Sequence, residues 1–377
     1  MRYYLIAGEA SGDLHGSGLI KEIGRLDQNA EFRCWGGDLM KEAGGNLVRH
    51  IKSTSYMGFW EVAKNLNSIF AGIKFCKKDI AAYRPDALIL IDYPGFNLRM
   101  ARHAKRLGIR VFYYISPKVW AWNQSRVITI KKYVDHMLTI FPFETAFYER
   151  FGIRVDYVGN PLMDVIENYP FREESFDDFN KRNRLSGRPV IAILPGSRMQ
   201  EIEKSLPVML AAADNYDRYQ FVIAGAPSID EEVYRRFSPG GVPVLYNQSY
   251  AILRQSAAAM VVSGTATLEA ALLGAPQVVC YKGSFLSYQI AKRFIRVKFI
   301  SLVNLIMGRE VVKELIQDDF NSDNLTRELD KLLTDKKVRS KMRDDLIRLK
   351  QLVGGAGASR RTAEKVIGYL GSAPVRS

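Results

Sequence analysis

Short apolar runs recur along this chain, each closing on a loop of small or acidic residues. Tyr3–Ala7 runs into Gly8-Glu9-Ala10-Ser11-Gly12-Asp13, and Leu14–Arg25 then has helical spacing. Ala87–Ile91 closes on Asp92, Leu98–Leu107 is helical in pattern, Gly108 stops it, and Val111–Ile115 is the next run. Such runs, bounded by turn residues, read as strands covered on both faces. Strands alternating with helices specify βαβ units and a parallel sheet. A polar stretch over 168–189 interrupts the pattern, which restarts with Val190–Leu194, Phe221–Ala224, Val242–Leu245, Ala258–Val262 and Gln277–Tyr281. A helix over Ala266–Leu273 stops at Gly274, with Pro276 behind it. The expected fold class is α/β, in two successive parallel halves. The reading divides the chain into domains 1–165 and 166–345, with a linker near 159–189. A highly charged helical stretch follows over about 322–370, and its end, 346–377, is expected to pack back on the first domain or on a partner subunit.

The 377 residues suit two domains at roughly 100–200 residues each. A hydrophobic share of 47% with 25% charged residues excludes a disordered or collagen-like chain. The net charge of +14 favours an anionic partner: nucleic acid, a membrane face or a phosphorylated small molecule. Cys34, Cys76 and Cys280 are too widely spaced for a zinc or redox motif, and a reducing compartment fits them best. The four histidines, His15, His50, His103 and His136, show no metal-ligand spacing, and only His15 stands near a candidate loop. The N-terminus lacks the apolar length of a signal peptide, and no stretch reaches the ~18 apolar residues of a membrane span. The expectation is a cytoplasmic protein, soluble or held peripherally on a membrane.

Several segments have the residue types that chemistry needs. Gly8–Asp13 follows a strand and opens a helix, so it is either a plain tight turn or a substrate-facing loop. Asp92, in Ile91-Asp92-Tyr93-Pro94-Gly95-Phe96-Asn97, is a general base at a strand end or a turn former. Ser116-Pro117-Lys118-Val119-Trp120-Ala121-Trp122 lies in a span, 99–132, with nine Lys/Arg and no acid. In Leu194-Pro195-Gly196-Ser197-Arg198, the Arg198 guanidinium can fork onto a diphosphate or pair with Glu201 or Glu203. Ser263-Gly264-Thr265-Ala266-Thr267-Leu268-Glu269 offers small residues, hydroxyls and a helix start to a phosphate, and Glu269 to a ribose. Its alternative is simple helix capping. Segment 55–78 mixes Met57, Phe59, Trp60, Leu66 and Phe70 with lysines. It reads as a core-facing helix or as one lying on an anionic bilayer. Residues 281–298 interleave aromatics with five Lys/Arg and no acid, and suit a lipid or phosphate contact or a solvated helix face.

Taken in order, these motifs, with Ser301-Leu302-x-Asn304-Leu305 and Gly308-Arg309-Glu310 after them, resemble the lipid-A-disaccharide synthase family of bacterial glycosyltransferases. The resemblance runs by motif over roughly residues 3–315 and by length over the remainder. It implies a GT-B architecture, two Rossmann-like domains facing across a cleft, the first for the acceptor and membrane and the second for the UDP-sugar. It implies UDP-2,3-diacylglucosamine as donor, 2,3-diacylglucosamine 1-phosphate as acceptor, inversion at the anomeric carbon, and neither cofactor nor divalent metal. It implies Asp92 as general base, Arg198 on the leaving UDP, Glu269 on the ribose, and Ser263, Gly264 and Thr265 on phosphate or uridine. Glu9, Ser11 and Asn304 are expected to line the cleft. Met57, Phe59, Trp60, Leu66 and Phe70 are expected to meet an anionic membrane surface at the cytoplasmic face of the inner membrane, in a possible homodimer.

The chain departs from the family pattern at three positions. Gly95 replaces a second acid, which leaves Asp92 as the better base. Asn160, in Gly159-Asn160-Pro161, stands where a histidine is common, so no histidine role transfers. Lys118 replaces a small polar residue, and a phosphate contact is the expectation for it. The rivals are another UDP-sugar enzyme of this architecture, an epimerase or a lipid-II-type transferase, and a basic nucleic-acid-binding protein. The Trp-containing motif speaks against the first two, and the lack of any helix-turn-helix, RNP or finger motif against the third.

Overall fold

The computed structural model describes residues 1–53, 66–121, 124–213, 216–238, 241–283 and 297–371. The chain divides into two compact units: Met1–Asp164 together with the stretch from Gly355 onward, and Val165–Gly354.

The first unit is built on seven parallel strands: β1 (Arg2–Ala7), β2 (Glu31–Gly36), β3 (Asn46–His50), β4 (Ala87–Ile91), β5 (Arg110–Tyr114), β6 (His136–Thr139) and β7 (Val155–Tyr157). Their order is β3-β2-β1-β4-β5-β6-β7. The second unit has six: β8 (Val190–Leu194), β9 (Gln220–Gly225), β10 (Val244–Tyr246), β11 (Ser256–Val262), β12 (Gln277–Tyr281) and β13 (Lys313–Ile316). These are also parallel, in the order β10-β9-β8-β11-β12-β13. Every residue of β4 and β8 is buried, as a strand covered by helices on both faces requires. Each buried Leu or Ile there contributes roughly 1.5–3 kcal/mol. The strands without an apolar-run signature, among them β2, β3, β7 and β13, carry polar or half-exposed residues. β10 forms two residues later than the apolar pattern suggests, because Pro243 cannot join the ladder and Ile223 bonds its carbonyl instead.

The polar stretch before β8 holds a helix, Phe176–Asn183. Ser175 caps it by accepting from the Asp178 N–H at 3.1 Å, and Phe179 anchors it in the second core. The helix Lys336–Val353 stays with the second unit, where Arg309 pairs with Asp345. The last described helix, Ala358–Gly371, belongs to the first unit and packs on the helix Ala10–Leu26. Asp164 catches its start, accepting from the N–H groups of Gly357, Ala358 (3.2 Å) and Ser359 (2.8 Å). Arg361 donates back to the Val158 carbonyl at 2.8 Å.

Asp13, the acid of the first loop motif, is spent on the fold. Its carboxylate is buried and accepts from the N–H groups of Gly37 (2.7 Å), Leu39 (3.1 Å) and Met40 (3.0 Å) at the start of the helix Asp38–Glu42. Asp13→Ala leaves those donors without an acceptor, and thermal or denaturant unfolding should show a loss of about 2–3 kcal/mol. An unchanged midpoint would show that water replaces the carboxylate at no cost.

Candidate active site

In each unit, the sheet order brings two of the sequence motifs side by side. In the first, β1 and β4 are neighbours, with Ala7 opposite Ile91, and the chain leaves the sheet in opposite directions from them. Such a switch point opens a crevice at the carboxyl ends of the strands. The loop Gly8–Ser11 borders it on one side and Asp92 on the other. Glu9 and Ser11 are exposed there. Gly8 is buried under the Tyr93 ring: a Cβ at this position would lie 2.2 Å from the ring Cγ, so only glycine lets the two loops meet.

Asp92 and Tyr93 both adopt left-handed backbone angles, φ +44° and +48°. Each such non-glycine residue costs of order 1–3 kcal/mol and persists only where its surroundings over-determine it. Here they do. The Asn97 side chain donates to the carbonyls of Asp92 (2.8 Å) and Ile91 (3.2 Å), and the Tyr113 hydroxyl donates to the Asp92 carbonyl at 2.5 Å. The Asp92 N–H donates to the Tyr114 carbonyl at 3.2 Å. Burial pushes the Asp92 carboxyl up to about 6. The Lys118 ammonium holds it down in part, and the Glu9 carboxylate adds to the rise. A carboxylate so placed is ionised at neutral pH yet more basic than a free one.

The Ser116–Trp120 loop is pinned from behind. The Ser116 and Tyr148 hydroxyls lie 2.7 Å apart, and the Trp120 indole N–H donates to Glu144 Oε1 at 3.2 Å. The second oxygen of Glu144 accepts from the N–H groups of Ile140 (3.1 Å) and Phe141 (3.0 Å). Complete burial pushes this carboxyl up to about 7. Glu144 and Tyr148 escaped the sequence reading, although Pro142 with Glu144 behind it is a helix-start signal. Trp122 lies outside the described residues.

In the second unit, β8 and β11 are the neighbours across the switch, with Leu194 opposite Val261. Pro195–Arg198 leaves one strand and Ser263–Thr265 the other. Gly196, at φ +113°, folds over Glu201, whose Cβ would sit 2.6 Å from an added one. Glu201 accepts from the Ser197 N–H at 3.0 Å and pairs with Arg198 at 3.5 Å, so the sequence's local ion-pair alternative is realised. The Arg198 side chain remains 57% exposed, and a pair this long and wet holds it weakly. Gly264 is extended and precedes the helix Thr265–Leu272. One turn in, Glu269 accepts from the Tyr250 hydroxyl at 3.3 Å, and burial raises its carboxyl above the usual range.

The remaining candidates are placed differently. Asn304 is fully buried. Its amide donates to the Val312 carbonyl (2.8 Å) and Glu314 (2.9 Å) and accepts from the N–H groups of Val311 (2.7 Å) and Val312 (3.0 Å). It braces the Ile300–Ser301 turn, whose N–H groups Glu314 also accepts and whose Ile300 carbonyl takes the Ser263 hydroxyl at 3.3 Å. Asn160 is buried and turns the chain by accepting from the Leu162 N–H at 3.0 Å. Gly95 is exposed, with open space around it. His15 is buried, and burial pushes it down to about 4. Met57, Phe59 and Trp60 lie outside the described residues. Leu66 begins a helix to Tyr83 on which Phe70 is 59% exposed. No described helix is long and apolar enough to cross a membrane.

A family model described as Lipid-A-disaccharide synthetase matches residues 3–365. The chain belongs to the lipid-A-disaccharide synthase family. It is therefore a glycosyltransferase of lipid A biosynthesis. A lipid-A-disaccharide synthase of Geobacter sulfurreducens is 41% identical, with 98% of this chain and 97% of the relative covered. One of Nitrosococcus oceani is 38% identical, with 97% and 95% covered. Among solved structures, a Staphylococcus aureus MnaA–UDP co-structure matches with a TM-score of 0.68 at 12% identity, covering 98% of this chain and 96% of that one. CalG4, the calicheamicin glycosyltransferase, matches at 0.63 and 17%, covering 98% of each. At these identities the structures speak for the fold, the paired Rossmann-like domains of GT-B enzymes.

Proposed function

We propose that the chain transfers the sugar of UDP-2,3-diacylglucosamine to the 6-hydroxyl of 2,3-diacylglucosamine 1-phosphate, giving a β-1,6-linked disaccharide 1-phosphate and UDP. Asp92 takes the hydroxyl proton as that oxygen attacks C1 from the face opposite the leaving group. The C1–O bond to UDP breaks, and its electrons pass to the diphosphate. Arg198 offsets that growing charge, Ser263, Gly264 and Thr265 hold phosphate or uridine, and Glu269 holds the ribose. Glu9 and Ser11 border the acceptor. A single displacement inverts the anomeric centre and needs one base and one stabilised leaving group. The observation that carries the reading is the braced, strained Asp92, whose raised basicity suits proton removal from an alcohol near neutral pH. Both substrates carry acyl chains. The apolar segment with Met57, Phe59, Trp60, Leu66 and the exposed Phe70 therefore meets the membrane, at the cytoplasmic face of the inner membrane.

The test is UDP release from purified protein with both lipids in detergent, with and without a chelator. Release that needs both lipids and survives chelation is the expected result. Turnover of a water-soluble UDP-sugar without lipid acceptor would return the chain to the epimerase reading.

A further inference from the structure

The described part of the loop after β5, one strand over from the first switch point, presents one exposed cation, Lys118. Its flanking residues are all buried: Ser116, Pro117, Val119 and Trp120. They are tied down by the Tyr148 hydroxyl, by the Glu144 carboxylate and by the loop's own bonds, Val119 N–H to the Pro117 carbonyl at 2.6 Å and Ala121 N–H to that of Lys118 at 3.1 Å. Lys118 alone in Ser116–Trp120 is exposed. The loop opens with Ile115 at φ +62°, directly beyond the strand. The sheet order β1-β4-β5 aligns Ala7, Ile91 and Tyr114, so Glu9, Asp92 and Lys118 follow three adjacent strand ends.

We propose that Lys118 is the phosphate-recognition residue of the acceptor site, gripping the phosphomonoester of the acceptor sugar beside Asp92. This rests on the proposed function above. A phosphomonoester brings up to two negative charges toward a crevice already bordered by Glu9 and Asp92. Without a cation, that repulsion opposes binding. A lysine on a pinned loop supplies the opposite charge with little ordering left to pay on binding beyond its own side chain. The ammonium also lowers the proton affinity of Asp92, so one residue serves acceptor binding and keeps the base ionised. The other groups acting on Asp92 are Glu9, which raises its proton affinity, and the Tyr93 N–H, which lowers it; Arg126 and Asp92 both bear on the Tyr113 hydroxyl.

The experiment compares the parent enzyme with Lys118→Met and Lys118→Arg on the acceptor with and without its 1-phosphate, measuring kcat/KM for each and KM for the UDP-sugar. Losing one charge-assisted contact should lower kcat/KM for the phosphorylated acceptor by about tenfold to a hundredfold in Lys118→Met. Lys118→Arg should retain most of it. On the dephosphorylated acceptor, parent and Lys118→Met should converge, apart from an acid limb displaced upward from about pH 6 in Lys118→Met. An equal loss on both acceptors with a raised KM for the UDP-sugar assigns Lys118 to the donor diphosphate and overturns the proposal. Equal kinetics for all three proteins on the phosphorylated acceptor also overturns it. If the parent enzyme releases no UDP with the two lipids, the proposed function has failed before Lys118 is tested.

Discussion

Asp92→Asn is expected to lower kcat by about 10²–10⁴-fold, the span that a positioned general base contributes. The substitution isolates the proton. Asparagine tolerates a left-handed backbone at least as well as aspartate, so the kink at φ +44° and its bonds to Asn97 and Tyr113 should survive. Alanine would add strain to lost chemistry. In the parent enzyme, activity should fall as pH drops through about 6, where the carboxylate takes up its proton. Stability runs the other way. Folding raises this carboxyl from its ordinary value, so the folded state binds the proton more tightly than the unfolded one. The resulting stability is complete below about pH 4 and is lost as pH rises through about 6. Asp92→Asn should therefore match the parent in acid and exceed it in thermal midpoint at neutral pH. An enzyme that turns over normally with asparagine at this position has its base elsewhere.

Arg198→Ala should cost about 2–4 kcal/mol of transition-state stabilisation, a fall of roughly 30- to 1000-fold in kcat. Its 3.5 Å pair with Glu201 is exposed and contributes about 0–1 kcal/mol to folding, and a melting curve separates a loss of rate from a loss of fold. Arg198→Lys restores the charge but not the planar fork and should recover only part of the rate. Steady-state kinetics beside a melting curve decide the matter. A normal kcat in Arg198→Ala leaves the arginine as surface charge next to Glu201.

Much of the fold is written locally in the chain. Apolar runs such as Ala87–Ile91 and Val190–Leu194, bounded by turn residues, read as buried strands, and the glycines and acids behind them mark the loops where a parallel α/β sheet keeps its chemistry. The strands that escaped the apolar pattern are those whose side chains face water or mix polar types, so no apolar period marks them. The candidate site could be read as residues and motifs but not as geometry. That Gly8 lies under Tyr93, that Asp92 is held in a left-handed kink, and that Glu144 and Tyr148 pin the loop bearing Lys118 depend on residues brought together by strand order.

The sequence by itself determined the parallel α/β class, the two-unit plan and the motifs of the family, because burial period and turn chemistry act over a few neighbouring residues. Only the tertiary structure decided what each polar residue does with its hydrogen bonds. Asp13 and Asn304 stand in motifs like those of Glu9 and Ser263, yet both are consumed inside the fold. Asp164 claims the C-terminal helix for the first unit from almost two hundred residues away. The physical reason is that a carboxylate or an amide has the same chemistry in a loop, a cap or a site, and its role is set by whichever donors and acceptors the folded chain places within about 3 Å of it.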